Sequence, residues 1–175
     1  MSSTAQDSLV VRPARTKDVH RIAALIEPLV LEGILLGKEL VVLFEDIQEF
    51  FVAEIEGEVV GCGALHVFWE HLGEVRTLVV RESEKRHGLG SAILRALEDR
   101  AHALGLRQLF CLTFEVEFFR RHGYDVVDEP IVDPDVYVEL VRSPDEGVAE
   151  FLDLTRVKPN TLGNSRMLKS LSSPR

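Results

Sequence analysis

The sequence predicts an α+β fold, a mixed and mostly antiparallel central sheet with helices on both faces. Three observations carry this. Two helical patterns near the N-terminus give way to three strand candidates in a row. The short connections between those strands make an antiparallel meander. A glycine loop and one long amphipathic helix come next, and strands then alternate with short helices.

Leu9–Arg12 is a short strand candidate, stopped by Pro13. Thr16 is an N-cap candidate, and Val19, Ile22, Leu25, Ile26 and Leu29 recur at helical spacing after it. Pro28 falls near the end of that helix and complicates it. Gly33 and Gly37 bracket a loop, and a second helix covers about Glu39–Glu49. The period then changes. Phe50–Glu56, Glu58–Trp69 and Glu74–Val80 are the three meander strands, separated by Gly57 and by His71-Leu72-Gly73. The long helix runs from about Gly88 to Leu104, with Leu89, Ile93, Leu97, Ala101 and Leu104 as its apolar face. Arg95, Glu98, Asp99 and His102 point away, and Gly105 is the expected left-handed C-cap. Leu106–Phe114 is an apolar strand, Glu115–His122 a short helix ending at Gly123, and Tyr124–Val127 another strand. Helical stretches near Asp135–Val141 and Gly147–Leu154 and a last strand at Met167–Leu171 complete the chain. Trp69 and the phenylalanines are expected in the core.

Residues 1–8 are expected to be disordered and 172–175 frayed. Residues 9–171 form a single domain, with about 128–171 as a C-terminal segment on the substrate side. The 175 residues suit one domain, and 46% hydrophobic with 28% charged residues excludes a disordered chain. At this size roughly 70% of the unfolded surface can be buried without a staple. No apolar run approaches the ~20 residues of a membrane span, and the polar start carries no signal peptide. Cys62 and Cys111 lie in apolar runs, which points to buried thiols in a reducing, cytoplasmic setting. A net charge of −9 disfavours nucleic acid as a partner. An anionic ligand must therefore be held at a local basic or amide-rich spot.

Lys85-Arg86-His87-Gly88-Leu89-Gly90-Ser91 is such a spot. It joins a strand to the long helix, whose first N–H groups are unpaired and carry partial positive charge. Gly88 and Gly90 let a phosphate approach the backbone. The spacing lacks the third glycine of a dinucleotide fingerprint and the Gly-Lys-Ser/Thr of a P-loop. A plain glycine loop with solvated basic residues is the alternative reading.

Val75-x-x-Leu78-x-Val80 followed by Lys85-x-x-Gly88-x-Gly90 resembles motif A of the GNAT acetyltransferase superfamily. Phe118-Phe119-Arg120-Arg121-His122-Gly123-Tyr124 resembles its motif B, and the resemblance spans about Val10–Val127. Gly33-Ile34-Leu35-Leu36, Gly61-Cys62-Gly63-Ala64-Leu65, Gly73-Glu74-Val75-Arg76 and Asn164-Ser165-Arg166-Met167-Leu168 resemble, more narrowly, the short actinobacterial N-acetylglutamate synthases, which lack an amino-acid kinase domain. The resemblance implies the GNAT fold and acetyl-CoA as co-substrate. It implies acetyl transfer to the α-amine of L-glutamate, with L-glutamine a rival acceptor, by direct attack in arginine biosynthesis. A GNAT enzyme for another amine and a non-catalytic acyl-CoA sensor remain as alternatives. The pyrophosphate would lie on the amides of Arg86, His87, Gly88, Leu89, Gly90 and Ser91, and the pantetheine along Leu78, Val79 and Val80. Lys85 stands where the family carries Gln or Arg, and it lacks the planar fork of arginine. Phe119 stands where many members carry Tyr; it supplies no phenol and is left as a cofactor contact.

Glu74 is the candidate base, and its place matches the family's glutamate. Glu74 and Arg76, two apart in a strand, share a face. A surface ion pair is the alternative. Burial would raise the proton affinity of Glu74 and Arg76 would lower it. Arg76 can grip a carboxylate bidentately. Lys38, Asn164 and Ser165 are the other substrate-side candidates, with Lys158 or Arg166 as substitutes for an arginine missing from the tail; Lys38 is equally readable as a solvated loop lysine. Thr113 is a candidate relay toward the leaving thiolate. The oxyanion would meet a backbone N–H of Leu78–Val80. His66, His71, His87, His102 and His122 form no metal pattern, so no metal is expected. The expected partners are small molecules, without nucleic acid or membrane. The oligomeric state stays open, a homodimer included.

Overall fold

The computed structural model describes residues 9–128, 131–152 and 163–172. The expected disordered start at 1–8, positions 173–175 of the expected frayed tail, and Lys158-Pro159-Asn160 lie outside the described residues. The elements are β1 (Val10–Pro13), a 3-10 turn (Thr16–Asp18), α1 (Val19–Leu31), α2 (Leu40–Glu45), a 3-10 turn (Ile47–Glu49), β2 (Phe50–Ile55), β3 (Glu58–Trp69) and β4 (Leu72–Val80). After a 3-10 turn (Glu82–Glu84) come α3 (Leu89–Ala103), β5 (Gln108–Thr113), α4 (Val116–Arg121), β6 (Asp125–Val126), α5 (Pro134–Leu140), α6 (Glu146–Phe151) and β7 (Ser165–Ser170).

The seven strands pair in the order β1-β2-β3-β4-β5-β7-β6. Among the described strands, only β4 and β5 run parallel; the other neighbours are antiparallel. β7 enters between β5 and β6, so the last strand in sequence is not the last in space. The expected α+β sheet is therefore present, with its boundaries moved. The second helix stops at Glu45 and yields to a 3-10 turn, whereas α1 continues through Pro28 to Leu31.

Residues on one face of the sheet (Val60, Leu65, Val75) pack with Leu89, Ile93, Leu94, Leu97 and Ala101 of α3. A Cβ on Gly63 would sit 2.8 Å from Ile93, so the close seat of α3 requires glycine there. Leu104 is exposed, against expectation, and Leu94 joins the buried face instead. The physical reason is the helix end. Gly105 is left-handed (φ 82), its N–H bonds His102 O, and the Leu106 N–H bonds Ala101 O. This Schellman geometry turns Leu106 inward in place of Leu104. Gly123 ends α4 in the same way and sets Tyr124 against Phe119. Trp69, Phe44 and Phe114 are also exposed rather than core.

The opposite face is divided. Val52, Val59, Cys62, Ala64 and Val79 pack under α1 and α2. Phe68, Leu72 and Phe110 pack under α5 and α6. Mid-sheet residues separate these two clusters. There β4 bulges: Arg76 pairs with Ala64 and Val79 with Cys62, three steps against two. Thr77 carries the bulge at φ 56. The extra residue inverts the side-chain alternation. Leu72 packs toward α6 before the bulge and Val79 toward α1 after it, whereas Val75, Leu78 and Val80 pack toward α3.

Candidate active site

The glycine loop lies between β4 and α3. Arg86 and Gly88 both have positive φ (74 and 77), and Gly88 is the N-cap of the 15-residue α3. A Cβ at Gly88 would meet nothing within 4 Å, so the glycine serves the backbone turn rather than packing. Among the described residues, the amides of Gly88, Leu89, Gly90 and Ser91 donate to no protein acceptor. They sit at the positive end of the helix. Arg86, His87 and Gly88 are exposed. Lys85 is tied to Glu82 at 2.6 Å, so its charge is partly spent. The Ser91 hydroxyl meets His122 Nε2 at 2.9 Å, and Gly90 faces the Phe118 ring. Phe118, not Phe119, borders the loop. Phe119 is turned into the core against Tyr124, because the short helix buries one side only.

A slot runs from the loop along β4. β4 pairs with β5 only at Leu72, Gly73 and Glu74, opposite Gln108, Leu109 and Phe110. Beyond Glu74 the strands are unpaired, so the β5 side of Leu78, Val79 and Val80 is left without a strand. An extended ligand arm fits such an edge.

Glu74 sits where that pairing ends. Its Oε2 accepts from Arg76 Nε at 2.8 Å, and Arg76 Nη1 reaches both oxygens of Asp145 at 3.0 and 3.1 Å. Asp145 also caps α6, accepting from Val148 N at 2.8 Å. Gly147 lets the guanidinium lie on the helix start; a Cβ there would fall 2.8 Å from Arg76 Nη2. Burial pushes the Glu74 carboxyl up, and the charge and hydrogen bond of Arg76 only partly offset it. Burial also acts on Asp145, but Arg76 and the cap bond win and hold it down at about 2. Arg76 remains charged, its desolvation outweighed by its two carboxylates. The cluster gathers one guanidinium and two carboxyl groups.

On the same floor, His66 Nδ1 lies 2.6 Å from Glu49 Oε1. His66 is the register partner of Glu74 across β3 and β4. Among the described residues, no group of His, Cys, Asp and Glu has the arrangement to hold a metal ion.

The remaining sequence candidates are placed as follows. Lys38 is bound to Asp46 at 2.9 Å and is not a solvated lysine. Thr113 ends β5, and its hydroxyl accepts from Glu115 N at 2.9 Å. Asn164 donates to Glu150 at 3.0 Å, and Ser165 opens β7 opposite Thr113. Arg166 is spent on Phe151 O and the Phe151 ring. Arg76, expected to grip a substrate carboxylate, is bonded within the protein to Glu74 and Asp145. Sequence reasoning missed Asp145, Gly147, Glu49 and His66. Asp145 announces itself only as an N-cap three residues before Val148. A groove of about 540 Å³ near the β2–β3 turn is lined by Glu56, Glu58, Arg81, Glu84 and His87 among others and does not include Glu74.

The acetyltransferase (GNAT) family model matches residues 25–124. An amino-acid acetyltransferase of Mycobacterium tuberculosis is 53% identical over 162 residues, covering 91% of this chain and 92% of that protein. One from Neisseria meningitidis is 35% identical over 131 residues; these are 73% of this chain but 30% of that longer protein. Among solved structures, a Mycobacterium tuberculosis protein in complex with CoA and a second ligand superimposes with TM-score 0.89 and 52% identity, over 93% of this chain and 99% of that one. N-acetylglutamate synthase from Neisseria gonorrhoeae, complexed with coenzyme A and N-acetyl-glutamate, gives TM-score 0.76 and 26% identity, over 94% of this chain and 35% of that one.

Proposed function

Because the chain belongs to the acetyltransferase (GNAT) family, we propose that it transfers acetyl from acetyl-CoA to the α-amine of L-glutamate in arginine biosynthesis. Acetyl-CoA supplies an acyl group activated as a thioester. The amides of Gly88, Leu89, Gly90 and Ser91 hold its pyrophosphate, with Arg86 and His87 beside them. The free edge of Leu78, Val79 and Val80 takes the pantetheine arm and presents an N–H to the oxyanion. The observation that carries the reading is the place of Glu74, a buried carboxylate with raised proton affinity at the point where β4 leaves β5. A carboxylate tuned upward is a better base near neutrality. Glu74 takes a proton from the substrate ammonium, and the freed amine attacks the thioester. Arg76 and Asp145 fix the carboxylate's orientation. Thr113, at the end of β5, is the candidate relay for the proton that the leaving sulfur takes.

Glutamine is favoured as a second acceptor by one observation. Lys38 and Arg76 are both committed to internal carboxylates, which leaves an uncharged distal amide easier to seat. Asn164 and Ser165 supply polar contacts from the tail side. The test is thiol release over the twenty amino acids. Turnover with glutamate or glutamine above all others supports the reading, and silence with both defeats it. Sedimentation in the same buffer tests the homodimer, and fractionation of cells tests a cytoplasmic location.

A further inference from the structure

Glu74 is nearly closed off from solvent. Its side chain is 6% exposed, and Arg76 and Asp145 close around it. A guanidinium cannot take a proton, and Asp145, held at about 2, is too acidic to accept one near neutrality. Yet the base must be reset in every cycle. The ammonium brings three protons and the amide keeps one. As the C–N bond forms and the C–S bond breaks, one of the two released protons ends on the coenzyme thiol. The other must reach solvent.

His66 is built to take it. It opposes Glu74 across β3 and β4, and directly opposed residues have Cβ atoms about 4.5–5.5 Å apart. Its side chain is 20% exposed. The Glu49 carboxylate, 2.6 Å from Nδ1, is an acceptor, so the tautomer that suits this contact carries its proton on Nδ1 and turns Nε2 into the acceptor. Nε2 has no hydrogen-bond partner among the described residues. Glu49 Oε2 is buried and unpartnered, so this carboxylate's side-chain hydrogen bond goes to His66. The charged groups that face the imidazole are Glu49 from the 3-10 turn, Glu74 and Arg76 from β4, and Asp145 from α6.

We propose that His66, oriented by Glu49, carries the substrate's proton from Glu74 to solvent. This rests on the acetyl-transfer reading above. The ring is a relay that is charged and discharged once per turnover, and Glu49 is its positioning residue.

The experiment is thiol-release kinetics of the wild type, His66→Ala, His66→Gln and Glu49→Gln, with and without added imidazole. His66→Ala should lower kcat roughly 10²-fold with little change in KM for either substrate, and imidazole should restore part of the loss. His66→Gln, which keeps size and polarity but lacks the basic nitrogen, should be as slow and melt like wild type. Glu49→Gln should fall between. Wild-type kcat in His66→Ala and His66→Gln would overturn the relay, as would a loss confined to KM and untouched by imidazole. A wild-type enzyme silent with every amino acid would instead defeat the acetyl-transfer reading.

Discussion

Glu74 is held at a cost. A carboxylate this deeply buried is stabilised by Arg76 alone among its hydrogen-bond partners, while Asp145 competes for the same guanidinium. Its proton affinity in the folded state is above the ordinary glutamate value, so its contribution to stability is present at low pH and lost as pH rises through the shifted value. Glu74→Gln should therefore uncouple stability from activity. The amide oxygen can still accept from Arg76 Nε, and the substitution removes a carboxyl that competes with Asp145 for the guanidinium. The variant should melt no lower than wild type at neutral pH, while kcat drops at least roughly 10²-fold and recovers partly in alkali, where more of the amine is already free. A melting point several degrees below wild type would show the carboxylate to be structural.

At the scale of elements, the glycine loop and the start of α6 each depend on one missing Cβ. Gly88→Ala must place alanine at φ 77, at about 1–3 kcal/mol of backbone strain, with no clash to relieve. Calorimetric titration with CoA should show weaker binding, while glutamate kinetics extrapolated to saturating acetyl-CoA change little. An unchanged CoA affinity would remove the loop from the phosphate site. Gly147→Ala acts differently: its Cβ would strike the Arg76 guanidinium, so α6 must lift or Arg76 must leave Glu74. About 1–3 kcal/mol of stability should go, together with most of kcat, read by thermal melts and thiol release. Full activity at wild-type melting temperature would mean that the guanidinium seat is not needed. These two elements also mark how far the sequence could be read. The glycine loop is local, and its residues carry it at fixed spacing. The shared face of Glu74 and Arg76 follows from strand alternation alone. The bulge at Thr77 is invisible to that alternation, and it places Leu78 on the face opposite Glu74. Asp145 lies 69 residues from Arg76, and Glu49 lies 17 from His66. Periodicity reports which side of an element is buried, not which distant element covers it. The insertion of β7 between β5 and β6 is equally non-local.

At the scale of the molecule, two arginines, Arg76 buried and Arg12 half-buried, tie the chain across its length. Arg12 joins β1 to β2 and to the first 3-10 turn, through Glu54 at 2.7 Å and Asp18 at 2.8 Å. Arg76 joins β4 to α6. Both Asp18 and Asp145 are held below the ordinary aspartate value: Asp18 by its bond to Arg12 against desolvation, and Asp145 by Arg76 against its burial. A carboxyl depressed on folding contributes stability above its unfolded value, and that contribution is lost as pH falls through its folded one. For Asp145 the window runs from about 4 down to about 2. Acid should therefore loosen both the sheet edge at β1 and the cover over Glu74. Asp145→Asn keeps a capping side chain for α6 but gives up the charge on Arg76. The stability difference between wild type and Asp145→Asn should be largest near neutrality and vanish by about pH 2, in denaturant melts taken at steps of pH. A difference that stays constant down to that pH would mean that the aspartate acts as a cap alone, and that the ion pair with Arg76 adds nothing to the fold.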